Sequence, residues 1–168
     1  MEHISPDMLQ KDMHDSRVKE FINAVLKGSA KERFVVVSEM PRRAVKEVMR
    51  LTGKNTAGFQ VVLDTNAVKH IVKRHGKKGT HDQSMLNAEM ISMVGHVVRN
   101  YDEVSFDGTH TTGYLDEEGR PAPLVRFKKR IDKVIYVVVA CTETKSKRAY
   151  IVTAYATGTK EKQPSNPC

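Results

Sequence analysis

Cysteine is scarce in this chain of 168 residues: Cys141 ends an apolar run and Cys168 is the last residue. Two cysteines are too few for a disulfide framework, and their placement suits a reducing compartment and argues against a zinc ribbon. Long hydrophobic runs are also missing. The longest, residues 134–141, is far short of the roughly 20 residues that a membrane helix needs. The polar N-terminus shows no secretory hydrophobic region, so no signal peptide and no membrane association are expected. There is no G-x-S-x-G elbow, no phosphate-binding P-loop, no dinucleotide glycine pattern and no internal repeat, which removes the usual sequence signs of serine hydrolases, NTPases and Rossmann enzymes. The length suits one domain with short appendages, long enough to bury a core unaided.

What is present is positive charge. Lys and Arg number 28 against 20 Asp and Glu, a net +8 with a pI near 9.5. Polyanions are the natural partners of such a chain.

The pattern of apolar residues predicts helices and short strands first, then a run of strands. A helix begins at Asp15 with a stripe of Val18, Phe21, Ile22, Val25 and Leu26, ended by Gly28. This stripe is able to pack on the domain or on a partner. Residues 33–37 form a β-branched strand. A second helix follows Pro41, with Ala44, Val45, Val48 and Met49 inward, and a second strand covers residues 59–63. A helix through Leu86, Met90, Met93 and Val97 comes later. Beyond Asn100, residues 104–106, 113–115, 122–131, 133–141 and 148–156 read as strands separated by turn residues. The expectation is an α+β fold with N-terminal helices packed on one face of a curved, mainly antiparallel β-sheet, the other face left to bind something. Its divisions are a helical extension at 1–30, a domain at 31–157 and a disordered tail at 158–168.

The strand at 59–63 feeds a short helix that carries the chemistry. Asp64 or Thr65 caps its start, and Gly76 stands where a left-handed cap is wanted. Val68, Ile71 and Val72 share one face, and His75 continues that series onto the buried side. His70 lies about 140° round the helix from His75, beside Lys73 and Arg74, so the two histidines are expected to point in different directions. His75 is then either a core histidine or a functional one. A basic, glycine-containing loop, residues 76–83, follows.

The strand at 122–131 alternates Val125, Phe127 and Ile131 with Arg126, Lys128 and Arg130. The three cations read as an edge strand protected by charge or as a phosphate-binding stripe. The last strand brings Thr153 and Tyr155 to one side, with Ile151 and Thr157. A histidine, a lysine among arginines, a threonine and a tyrosine suffice for metal-free cleavage of an RNA phosphodiester. That reaction needs a base for the ribose 2′-OH, an acid for the leaving 5′-oxygen, and donors for the developing charge. A metal site fits less well. His70 and His75 are five apart rather than four, although His81 and Asp82 are able to join one of them. A metal-dependent DNA nuclease needs clustered carboxylates, and Asp116-Glu117-Glu118 reads as a solvated turn.

The run His70-Ile71-x-x-Arg74-His75-Gly76, the segment Asn100-Tyr101-Asp102-Glu103-Val104 and the closing Thr153-Ala154-Tyr155 together resemble phage-associated nuclease domains of the barnase–EndoU–colicin–RelE-like (BECR) class. The resemblance covers residues 34–157. It implies a metal-independent, toxin-like endoribonuclease with helices on a sheet of about four strands and an active site on the open face. It also implies a product with a 2′,3′-cyclic phosphate. Carried onto this chain, the catalytic set is His75, His70, Lys128, Thr153 and Tyr155, with either histidine as the base. Arg74, Arg126, Arg130, Lys145, Lys147 and Thr157 are the expected RNA-binding residues, with no metal and no cofactor. The expected partners are RNA, tRNA among the candidates, and an immunity or antitoxin protein or a fused phage protein docking on the first helix. The expected location is the cytoplasm of a bacterial host or a phage assembly. A non-catalytic nucleic-acid-binding domain of a phage structural or packaging protein is the alternative, using the same basic face without His75, Thr153 or Tyr155.

Overall fold

Asp15 sets the first helix, α1 (Ser16–Lys27), by accepting the N–H groups of Arg17 and Val18, and Gly28 ends it in the left-handed conformation. The computed structural model describes residues 15–109, 115, 116 and 118–158; the remainder of the 1–30 and 158–168 segments lies outside the described residues. Val18, Phe21, Ile22 and Val25 are buried, whereas Leu26, expected in the same stripe, is exposed. The helix packs on β1 (Phe34–Glu39) and on two later helices. Its apolar face is therefore occupied by the domain itself, the first of the two alternatives open to this stripe.

The strands form one six-stranded sheet in the order β1-β2-β6-β5-β4-β3. Here β2 is Gln60–Asp64, β3 Glu103–Thr109, β4 Pro123–Ile131, β5 Val134–Glu143 and β6 Arg148–Gly158. All neighbours are antiparallel except β2 and β6. The expectation of about four strands holds for the meander β3–β6. The extra pair, β1 and β2, joins through the parallel β2–β6 ladder and carries α2 (Arg42–Thr52) between its strands. A correction follows from this order. The cationic strand β4 is not an edge, because β3 and β5 flank it. Of the run at 113–115, Leu115 makes only an isolated bridge with Pro121, and residues 113 and 114 lie outside the described residues.

Helices cover one face of the sheet. There, Val125 and Phe127 of β4, Tyr136 and Val138 of β5, and Ile151 and Ala154 of β6 join a single core with Val18, Ile22, Val68 and Ile71. The helix expected through Leu86 is two short ones, α4 (Ala88–Ile91) and α5 (Val94–Arg99). The Asn87 side chain caps the N–H of Met90 and so starts α4 after Leu86, which stays exposed. Met49 is likewise exposed rather than inward. The opposite face carries a smaller apolar cluster of Ala122, Leu124, Val137, Val139 and Cys141, with Val152 and Tyr155 against it.

Candidate active site

The helix α3 (Thr65–His75) starts where Asp64 accepts the N–H of Ala67. Pairing between β2 and β6 runs only from Gln60↔Arg148 to Val62↔Tyr150. From there α3 packs against β6, so its C-terminal end comes to the part of β6 that bears Thr153 and Tyr155.

The loop after α3 is shaped by the end of that helix. A helix leaves its last carbonyls without partners, and here the following chain supplies them. Gly76 N–H donates to Val72, Thr80 N–H to Lys73, His81 and Asp82 N–H to Arg74, and Met85 N–H to His75. Gly76 is not left-handed as expected but extended, at φ −82° and ψ −164°. Its need for glycine is one of space, since a Cβ there would lie 2.5 Å from the Val72 carbonyl oxygen. At Gly79 a Cβ would lie 2.1 Å from Asp82 O and 2.5 Å from Arg74 O. Both glycines let the loop turn tightly enough to lay Asp82 on His75.

His75 is buried, and its Nδ1 is 3.0 Å from Asp82 Oδ1. Burial raises the Asp82 carboxyl, but the Ser84 N–H, the His75 ring and the Ser84 hydroxyl outweigh that and hold it below its ordinary range. An ionised carboxylate only accepts hydrogen bonds, which assigns the hydrogen to His75 Nδ1 and leaves Nε2 for a ligand. The ring stacks on Tyr155, with centroids 5.2 Å apart and planes at 26°, and meets His81 edge-on at 5.6 Å.

On the sheet, Arg126 of β4 faces Val139 of β5, which faces Thr153 of β6. A bulge between Val139 and Ala140 leaves Val152 as an extra residue on β6. Strict alternation placed Ile151 beside Thr153; the bulge reverses this, sending Ile151 into the core and Val152 to the side of Thr153 and Tyr155. Arg126 pairs with Asp107 of β3 at 2.6 Å. Arg126 Nε and Thr153 Oγ1 are buried with no hydrogen-bond partner. Buried polar atoms in that state are rare and call for an explanation, such as a bound group.

These side chains surround a pocket of about 420 Å³, lined by His70, Arg74, His75, Asp107, Arg126, Thr153 and Tyr155 over a floor of Leu124, Val139 and Val152. Both histidines reach it, although their angular separation predicted divergence. The pocket runs along the flank of α3 and over the end of the helix, so it does not require both rings on one helical line. Burial, then the nearby Arg74, His75 and Lys73 charges, lowers the His70 pKa below its ordinary value. Two larger hollows, about 570 Å³ between α1 and β1 and about 470 Å³ beside the α2–β2 loop, hold no histidine.

Lys128 does not line the pocket. It stands on the same face as Arg126, one row along, opposite Val137 and Glu103. Arg126 occupies the place expected for it. Arg130 is exposed and its N–H donates to Asp102, while the Thr157 hydroxyl is turned to the Gly158 carbonyl. Lys145 and Lys147 lie in the turn from β5 to β6, at the end of β6 that pairs with β2. Sequence reasoning missed Asp107 and Ser84, and weighed Asp82 only as a metal ligand. Among the described residues no group of three or more His, Cys, Asp or Glu is placed to hold a metal ion. Asp116, read as part of a solvated turn, is buried and accepts the N–H groups of Glu118 and Arg120.

No curated protein and no solved structure matches the chain. One family model does, that of the phage-Barnase-EndoU-ColicinE5/D-RelE like nuclease3. It spans residues 41–164 and so takes in every pocket-lining residue from α3 to β6. The chain belongs to this nuclease family.

Proposed function

We propose that the chain is a metal-independent endoribonuclease that cleaves RNA by transesterification. The ribose 2′-oxygen bonds to the adjacent phosphorus, the bond to the 5′-oxygen breaks, and the products are a 2′,3′-cyclic phosphate and a 5′-hydroxyl. The observation that supports this most is the sharing of one pocket by a carboxylate-held histidine, two arginines and a threonine hydroxyl without a partner.

The reaction moves one proton off the 2′-OH and one onto the 5′-oxygen. His70, with its pKa held down by burial and by neighbouring cations, is uncharged at neutral pH and suited to accept the first. That leaves His75 to deliver the second: its doubly protonated form carries a hydrogen on Nε2 as well as the one on Nδ1 held by Asp82, and giving up the Nε2 proton to the 5′-oxygen returns it to the Nδ1–H tautomer. Arg126 and Arg74 hold the phosphate. The Thr153 hydroxyl and Arg126 Nε donate to the non-bridging oxygens as negative charge grows on them, the moment at which a prearranged donor contributes most. Tyr155 supports the His75 ring by stacking. Lys128 and Arg130, on the same face outside the pocket, extend a cationic track for neighbouring phosphates.

The test is RNA cleavage by the purified protein in excess EDTA, with product ends identified. The expected result is cleavage that survives chelation, leaves a cyclic phosphate, and falls by about 10²–10⁴-fold in His75→Ala. Wild type that binds RNA with salt-sensitive affinity and never cuts it overturns the enzyme in favour of a nucleic-acid-binding domain.

A further inference from the structure

Ser84 links the two elements on which the pocket is built. Its hydroxyl donates to Asp82 Oδ1 at 2.9 Å, and its backbone N–H donates to the same oxygen at 2.9 Å. The hydroxyl oxygen in turn accepts the N–H of Ala156 at 3.0 Å. Ala156 is the residue after Tyr155 on β6, and its N–H is out of reach of the β2 ladder, which ends at Tyr150. A continuous chain of hydrogen bonds therefore runs from the β6 backbone through the Ser84 hydroxyl and the Asp82 carboxylate to His75 Nδ1.

We infer that Ser84 is a positioning residue of the active site, which clamps the His75–Asp82 pair to the strand carrying Thr153 and Tyr155. The inference rests on the nuclease reading for its catalytic consequence and on geometry alone for the clamp. Asp82 stands in a loop and its carboxylate is partly exposed, so the His75 contact alone leaves it free to rotate into water. Two bonds from Ser84 pin the same oxygen that His75 contacts, and the bond from Ala156 fixes Ser84. The histidine on the helix and the threonine on the strand are thereby held in one register. Outer partners of this kind act through the orientation of the group they hold, which touches the substrate when they do not.

The experiment compares wild type, Ser84→Ala and Ser84→Thr by steady-state RNA cleavage and by ¹⁵N NMR of the histidine rings. Ser84→Ala should lower kcat about 10-fold with KM changed less than about twofold, and should move the His75 Nδ1 and Nε2 signals toward a mixture of tautomers. Ser84→Thr keeps the hydroxyl and should restore both readouts. His75 signals unchanged in Ser84→Ala overturn the clamp. A wild type without nuclease activity, whose His75 signals still shift in Ser84→Ala, upholds the clamp and overturns the catalytic reading.

Discussion

The two faces of the sheet are built from the same strands and obey different rules. On the helix-covered face, the inward side chains of the sheet join one apolar core, and the fully buried phenol there, Tyr136, donates to the Met90 carbonyl. Burial pushes that phenol's pKa well up, so it stays a neutral donor. On the other face a small apolar cluster borders two buried polar atoms without partners, Arg126 Nε and Thr153 Oγ1. The first face holds the fold together. The second keeps polar groups out of contact with protein partners, at a cost to stability of about 1–3 kcal/mol for a buried unsatisfied group, and a bound phosphate would recover that cost. On the proposed function, the difference separates residues that hold the sheet from residues that bind and cleave RNA.

The largest expected effect is on the covered face. Phe127 is fully buried and packs edge-on against Tyr101 at 5.5 Å. Phe127→Ala should destabilise the protein by about 3–5 kcal/mol, from lost burial plus the cavity left behind. Urea unfolding would measure it. Its neighbour in sequence, Arg126, faces the pocket, so cleavage per folded molecule should stay near wild type in this variant. A large kcat loss at full folding would break the distinction between the faces.

Thr153→Val reverses the pattern. It removes a buried hydroxyl that has no partner and keeps the shape of the side chain, so unfolding in denaturant should show equal or greater stability. Cleavage should fall by about 10²-fold, the usual loss for one donor to a developing oxyanion. Stability that drops with activity unchanged would mean that the hydroxyl serves the fold, and the contrast between the faces would fail.

Much of this architecture is legible in the sequence, because it rests on periodicity. The stripes of α1 and α3, the alternation of β4 and the order of helices before strands all follow from which residues are apolar. His75 is correctly placed on the buried side of its helix by the same argument. What periodicity cannot carry is the extra residue. The Val152 bulge shifts half of β6 to the other register, and nothing in Tyr150-Ile151-Val152-Thr153 marks it. Lys128 and Arg126 are equivalent in the alternation, and only the arrival of α3 beside Thr153 selects Arg126. Asp82 belongs to a loop, where no period exists. A local signal was nevertheless there. Gly76 and Gly79 announce a tight turn at a helix end, and Asp82 two residues before Ser84 has the spacing of a side chain that accepts a nearby backbone N–H.

The smallest expected effect lies on the pocket side and depends on pH. His70 has its folded pKa below the ordinary 6.5, through burial and then the charges of Arg74, His75 and Lys73. The unfolded chain therefore takes up this proton before the folded protein does. By linkage, stability is lost as pH falls from about 6.5, and the loss levels off below the folded value. Asp82 acts in a separate range. Its carboxyl is held below 3.8, so the stability it contributes is present above that value and is lost only as pH falls further. Melting temperatures between about pH 7.5 and 5.5 thus leave the carboxylate out, and comparison with a His70 variant separates this ring from the other histidines. Wild type should lose more over that interval than His70→Gln, which carries no titrating ring. Equal losses would show that the His70 ring sits in water-like surroundings, and the base would then have to be sought in His75.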